Sequence, residues 1–136
     1  MEALAYLVDT DHAIDYLAGD ERVVEFLLSL LPQGLAISIL VLAELYEGVI
    51  YSKDPRKSEA GLRDFLSMVK VLGIDEETCK IFAKERGRLR REGALIGDFD
   101  LMIAATALRH NLVLVTHNRR HYSRVEGLKI ASAKEP

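Results

Sequence analysis

An α/β fold, a parallel sheet with helices over both faces, is what this sequence predicts. Short apolar runs bounded by turn formers alternate with stretches of helical periodicity. Strands that alternate with helices in this way predict a parallel sheet covered on both faces. No internal repeat, low-complexity tract or flexible linker breaks the alternation, so residues 1–136 read as one domain with a real core.

Each element follows from its local sequence. Residues 5–9, from "LAYLVDT", form a buried strand that ends in turn formers. "DHAIDYLAG" is a short helix stopped at Gly19, and residues 21–31 form a second helix closed by Pro32. "LAISI" is the second strand. "LVLAELYEGVIYS" is a helix with apolar positions 41, 42, 45, 46 and 49. Asp54 followed by Pro55 starts a helix that runs to about Met68. "VKVLGI" is the third strand. Asp75 caps a long charged helix to about Glu92, with Gly93 beyond its end. Residues 99–109 form a strongly apolar helix. "NLVLVT" is the fourth strand and "LKIAS" a fifth, at the edge.

Composition narrows the function. The chain has 136 residues, is 49% hydrophobic and carries a net charge of −3, which argues against disorder and against a general nucleic-acid coat. The start lacks a basic leader, and the most apolar run is too short to span a bilayer. Cys79 is the single cysteine, so an internal disulfide and a cysteine zinc cluster are excluded, and a reducing cytoplasm is expected. Charge is uneven. Residues 1–75 hold 13 acids and 6 bases, whereas residues 76–136 hold 8 acids and 12 bases. The basic half suggests a polyanion partner or simply differing solvated faces.

In parallel α/β sheets ligands sit outside the carboxyl ends of the strands. Asp9 ends the first strand, Glu44 lies about one turn into the helix after the second, Asp98 and Asp100 open the apolar helix, and Asn118 follows the fourth strand. Converging carboxylates repel one another and call for a cation. An oxygen-only set without cysteine suits Mg²⁺ or Mn²⁺ rather than zinc. Each residue also has a plainer reading. Asp9 and Thr10 cap the helix that begins near Asp11, and Asp98 is a natural N-cap. Glu44 shares a solvated face with Glu47, and Asn118 is a turn residue. His12, His110, His117 and His121 lack ligand spacing and read as surface or RNA-facing residues.

In this order "LVDT", "ISILVLAELYEG", "IGDFDLMIAATAL" and "LVTHNRRHYSRVEGL" resemble the PIN-domain ribonucleases of the VapC toxin type, over residues 4–130. The resemblance puts the family's acids at Asp9, Glu44 and Asp100 and its fourth position at Asn118, after Thr116. It implies a three-layer α/β/α sandwich with a mostly parallel four- to five-stranded sheet. It also implies Mg²⁺-dependent endoribonuclease activity, a homodimer and a VapB-type antitoxin in a prokaryotic cell. Asp9, Glu44, Asp100 and Asn118 would hold the metal or its waters, with Thr10 and Thr116 steadying them. Asp98 is an auxiliary catalytic candidate, and Glu44 or Asp98 the proton acceptor. The neutral Asn118 leaves less charge for a second cation.

Two other classes compete. A haloacid dehalogenase-type phosphatase would use the Asp9/Asp11 pair, and would need Asp11, which the nuclease would not. A non-catalytic PIN-like binding module would keep the fold without turnover. Arg119 and Arg120 follow the fourth strand beside the acids and are the expected grip on RNA phosphates. Lys80, Lys84, Arg88 and Arg91 share one face of the long helix and read as a solvated stripe.

Overall fold

A computed structural model describes residues 3–134. The sheet has five strands in the order β3-β2-β1-β4-β5, and every pairing is parallel. They are β1 (Tyr6–Val8), β2 (Leu35–Ser38), β3 (Lys70–Leu72), β4 (Val113–Val115) and β5 (Ile130–Ala131). Tyr6 is in register with Leu35 on one side and Val113 on the other, so β1 is the central strand. The alternation of strands and helices thus yields the expected doubly covered parallel sheet, with the segment "LKIAS" supplying its edge.

Helices α1 (Thr10–Leu17), α2 (Glu21–Leu30), α3 (Ile39–Ile50), α4 (Pro55–Leu66), α5 (Glu76–Arg91) and α6 (Asp98–Arg109) cover the sheet. Their starts follow capping chemistry. Asp20, Asp54 and Asp75 each accept a backbone N–H of the first turn, and Pro55 stands where its missing N–H costs nothing. Ser38 is both the last residue of β2 and the cap of α3, accepting from Leu40 N at 3.1 Å. No loop separates strand from helix there, so the first turns of α3 are fixed relative to the sheet. A 3-10 turn (Leu31–Gln33) and the four-residue α7 (Arg119–Tyr122) are too short to show periodicity in the sequence.

Helix α6 is the buried pillar. Leu101, Ile103, Ala104, Ala105, Thr106 and Ala107 are all buried, and the helix packs along α5. Each buried Leu or Ile contributes roughly 2 kcal/mol of transfer free energy. Helix α5 differs from the expected solvated stripe. Arg88 is clamped by Glu85 at 2.8 Å and Glu92 at 2.9 Å, and donates to the Arg124 carbonyl. It therefore ties α5 to the turn before β5 rather than facing solvent with Lys80 and Lys84.

The entry to β2 depends on Gly34. Its φ is +95°, and its carbonyl accepts from both Ala5 N and Tyr6 N at 3.1 Å. A Cβ there would overlap the Ala3 carbonyl oxygen and lie 2.9 Å from Leu4 Cα. Strained backbone and steric overlap thus combine. Gly34→Ala should lower unfolding free energy by about 2 kcal/mol or more. Urea denaturation checks this, and a change within about 0.5 kcal/mol would refute the close approach of the two segments.

Candidate active site

The carboxyl ends of β1, β2 and β4 bring the site together. Asp9 directly follows β1, and its N–H donates to the Val115 carbonyl at 2.9 Å. Its extended backbone turns the carboxylate inward, where Oδ1 accepts from Thr10 N at 2.9 Å and Oδ2 from Thr116 Oγ1 at 2.8 Å. Asp9 is therefore a helix cap and a buried site residue at once, and the two readings of it merge. Only 7% of its surface is exposed. Burial, followed by the charge of Asp11, pushes its pKa up to about 6; the Thr116 and Thr10 hydrogen bonds oppose this, and Asp100 adds to it.

Glu44 does not point freely to solvent as a companion of Glu47. It is half-buried and accepts from Thr10 Oγ1 at 2.9 Å, which ties α3 to the first turn of α1. Asp100 is the third residue of α6, half-buried and close enough to Asp9 for their charges to interact. Tyr122 of α7 is fully buried. Burial and the nearby Asp9 and Asp100 carboxylates push its hydroxyl pKa well up, and Oη lies near both carboxylates without a hydrogen bond of ordinary geometry to either.

Asp98 departs from its expected place. Gly97, not Asp98, is the N-cap of α6, and Asp98 turns outward to Arg86 on α5 at 2.9 Å. Its side chain is 67% exposed. Asn118 lies on the same strand end as Thr116. Its N–H donates to Thr116 Oγ1 at 3.1 Å and its amide nitrogen is 3.0 Å from His121 Nδ1. Arg119 donates to the Ile130 carbonyl at 3.2 Å, and Arg120 is exposed beside it.

Three residues outside the expected set form a second layer. Asp11 Oδ2 accepts from His117 N at 2.8 Å and Thr116 Oγ1 at 3.1 Å, and Oδ1 lies 2.9 Å from His12 Nδ1. His12 is fully buried, so it is not the surface or RNA-facing residue expected of it, whereas His117 is half-buried. A signal was available for His12: it lies four residues before Tyr16 and beside Ala13, on the inner stripe of α1. Asp11, His12 and His117 are the only group of three His, Cys, Asp or Glu ligand atoms within 4.8 Å of one another among the described residues. Their rings face each other at 3.8 Å and 30°. Ring nitrogens bind metals in the ring plane, so stacked rings do not converge on one ion, and the group is a hydrogen-bond network.

Asp9, Glu44 and Asp100 fit a cation better. They offer oxygen alone, and no ion pair among the described residues involves them. An oxygen-only set of this kind suits Mg²⁺, which keeps several of its waters. Asp11 is poorly placed as the acid of a phosphatase, because both of its oxygens are engaged in the network.

The raised pKa of Asp9 has a stability consequence. Below about pH 4 Asp9 is protonated folded or unfolded, and above its folded value of about 6 it is charged in both. Between these values unfolding releases a proton, so its contribution to stability falls as pH rises. Asp9→Asn removes the buried charge. In chelator at pH 8 the variant should be more stable than the parent by about 1–3 kcal/mol, and this gain should vanish near pH 4. Denaturant unfolding at the two pH values measures it, and an equal effect at both would mean that Asp9 is not buried as a charge.

Comparison with known proteins identifies the family. The model of the PIN domain family matches residues 6–128. Ribonuclease VapC1 of Methanocaldococcus jannaschii is 38% identical over 126 residues, covering 91% of this chain and 85% of the relative. The tRNA(fMet)-specific endonuclease VapC of Shigella flexneri is 32% identical over 126 residues, covering 93% and 96%. A crystal structure of VapBC2 from Rickettsia felis, bound to a DNA fragment from their promoter, superposes with a TM-score of 0.88 at 28% identity, covering 95% and 98%. These relatives favour neither the phosphatase nor a binding module without turnover. The matched span runs from the first strand to beyond α7 and takes in every acid of the site edge; the chain belongs to the PIN-domain family, among its VapC-type members.

Proposed function

We propose that this protein is a Mg²⁺-dependent endoribonuclease, the toxin of a VapBC pair, working as a homodimer in a prokaryotic cytoplasm. The observation that carries the reading is Asp9, buried beside Asp11 and Asp100 and outside every ion pair among the described residues. Metal dependence is typical of PIN-domain ribonucleases. The cation, with Mn²⁺ as a substitute, would supply an activated water and stabilise charge on the phosphate. Asp9 and Asp100 would hold it, with Glu44 and Asn118 acting through its waters.

The chain's own groups do the rest. Thr10 occupies Glu44 Oε1, which leaves Oε2 to accept a proton from the attacking water. Glu44 is a better acceptor than Asp98, whose charge is engaged with Arg86. Thr116 steadies Asp9. Gly97 provides no side-chain cap, so first-turn N–H groups of α6 stay open to an incoming phosphate. Arg119 and Arg120 grip flanking phosphates.

A VapB-type antitoxin is the proposed partner, because the structural neighbours are VapBC complexes. A groove of about 540 Å³ between α1, α3 and α4 supports it. Ile14, Leu17, Leu45 and Val49 line this groove, and it reaches Glu44. Exposed Ile39, Ile74, Leu95 and Phe99 flank the acid-bearing edge and support self-association. No helix among the described residues is long and apolar enough to cross a membrane.

The direct experiment is cleavage of total RNA in Mg²⁺ and in EDTA. Cleavage should require the metal, and Asp100→Asn should abolish it while the fold stays intact. Glu44→Gln should lower kcat by about a hundredfold or more. RNA left uncut in Mg²⁺, or cut equally in EDTA, would overturn the reading. For the arginines, RNA binding in Ca²⁺ across a salt series is informative. Arg119→Ala/Arg120→Ala should flatten the log–log slope by about one unit per lost phosphate contact. Lys80→Ala/Lys84→Ala should flatten it less, and the reverse order would move the RNA path to α5.

A further inference from the structure

We propose that Asp11, outside the acid set inferred from the family and expected from the sequence to be dispensable in a nuclease, is instead a positioning residue that holds Thr116 in place to fix Asp9. The proposal rests on the nuclease reading of the same site. Thr116 has a single hydroxyl proton and faces two carboxylates, Asp9 Oδ2 at 2.8 Å and Asp11 Oδ2 at 3.1 Å. Its oxygen already accepts from Asn118 N at 3.1 Å. The proton goes to one carboxylate at a time, and the shorter distance favours Asp9. Asp11 Oδ2 meanwhile takes the His117 N–H at 2.8 Å, which pins the turn after β4 that carries Thr116.

Asp11 is itself held from behind. Ala133 N donates to His12 Nε2 at 3.1 Å, so the imidazole proton sits on Nδ1 and points to Asp11 Oδ1 at 2.9 Å. His12 is fully buried and has no other tautomer that satisfies both neighbours. His117 stacks on it at 3.8 Å, with Nδ1 2.9 Å from Ser132 Oγ and Nε2 3.2 Å from Asp15 Oδ2. A continuous chain of contacts thus runs from the segment after β5, through His12 and Asp11, to Thr116 and Asp9. Groups that orient metal ligands in this way typically change metal affinity by about 10–100-fold when removed.

The test is calorimetric Mn²⁺ titration without RNA, together with kcat, KM and thermal unfolding of folded protein. Asp11→Ala should weaken Mn²⁺ binding by about tenfold or more and lower kcat, with KM for RNA unchanged. Asp11→Asn keeps an acceptor for His117 N–H and Thr116 but sets an amide against the His12 proton. It should recover most of the Mn²⁺ affinity while its melting temperature stays depressed. If Asp11→Ala does not fold, Asp11→Ser, which admits a water into the gap, takes its place with the same expectation. Folded Asp11→Ala or Asp11→Ser with parental Mn²⁺ affinity and kcat would overturn the proposal, leaving only a structural staple. An Asp11→Asn as weak as Asp11→Ala would overturn it too, because charge rather than hydrogen bonding would then set affinity. Absence of Mn²⁺ binding by the parent would remove both readings. Parental Mn²⁺ binding with the expected variant pattern, but no RNA cleavage, would remove the nuclease reading alone.

Discussion

A carboxylate kept inside the fold, outside every ion pair among the described residues, is the constraint around which this structure is organised. Asp9 has 7% of its surface exposed and follows the central strand of the sheet. Its charge could be relieved by moving outward, but the backbone prevents this. Asp9 N is bonded to β4, and Asp9 Oδ1 caps α1. The parallel sheet then adds to the difficulty. Every strand delivers its successor to the same edge, so Asp11 and Asp100 arrive beside Asp9. The free protein sustains a local repulsion that a cation would convert into binding energy, a trade between stability and function that is common at active sites.

Several basic residues of the second half do not relieve that charge, because they have structural work. Arg86 goes to Asp98, Arg109 to Asp75, and Arg88 to Glu85, Glu92 and Glu126. Arg124 donates to the Leu95 carbonyl. These contacts fasten α5 to α6 and to the turn before β5. Several of the pairs are exposed and contribute little individually. The partners Glu85, Glu92, Asp98 and Glu126 belong to the same half, so these pairs fix where charge sits without removing the positive excess of residues 76–136. Net charge by half is therefore a coarse guide to a polyanion surface here, and the placement of Arg119 and Arg120 after β4 is the sharper observation.

The fold was legible because its signals are local. Asp54 before Pro55, Asp75 before a charged helix, and apolar runs between turn formers each act within a few residues. The placement of Asp9, Glu44 and Asp100 at one edge was legible for a related reason: strand ends and helix starts can be located, and a parallel sheet sends them to the same side. The network around Asp11 was not. Its partners lie 105 and 106 residues away in Thr116 and His117, and His12 meets Ala133 across 121 residues. No spacing rule reaches that far. Polar satisfaction inside the fold decides such contacts, and buried His12 shows that a histidine without ligand spacing can still be central.

Helix geometry accounts for the two acids that open an otherwise apolar helix. Residues two apart on an α-helix are about 200° apart around its axis. Asp98 and Asp100 therefore cannot face the same neighbour. Asp98 takes the outer side, where Arg86 of α5 meets it at 2.9 Å, and Asp100 takes the inner side toward Asp9 and Tyr122. Both benefit from the positive end of the helix, which lowers the cost of charge at that spot. The spacing thus divides one short motif between two tasks. Asp98 pairs with Arg86 of α5 on the outer side, and Asp100 lies near Asp9 on the inner one. The acid that looks like a spare ligand in the sequence is an outward-facing partner of α5, and the buried pillar from Leu101 to Ala107 follows both.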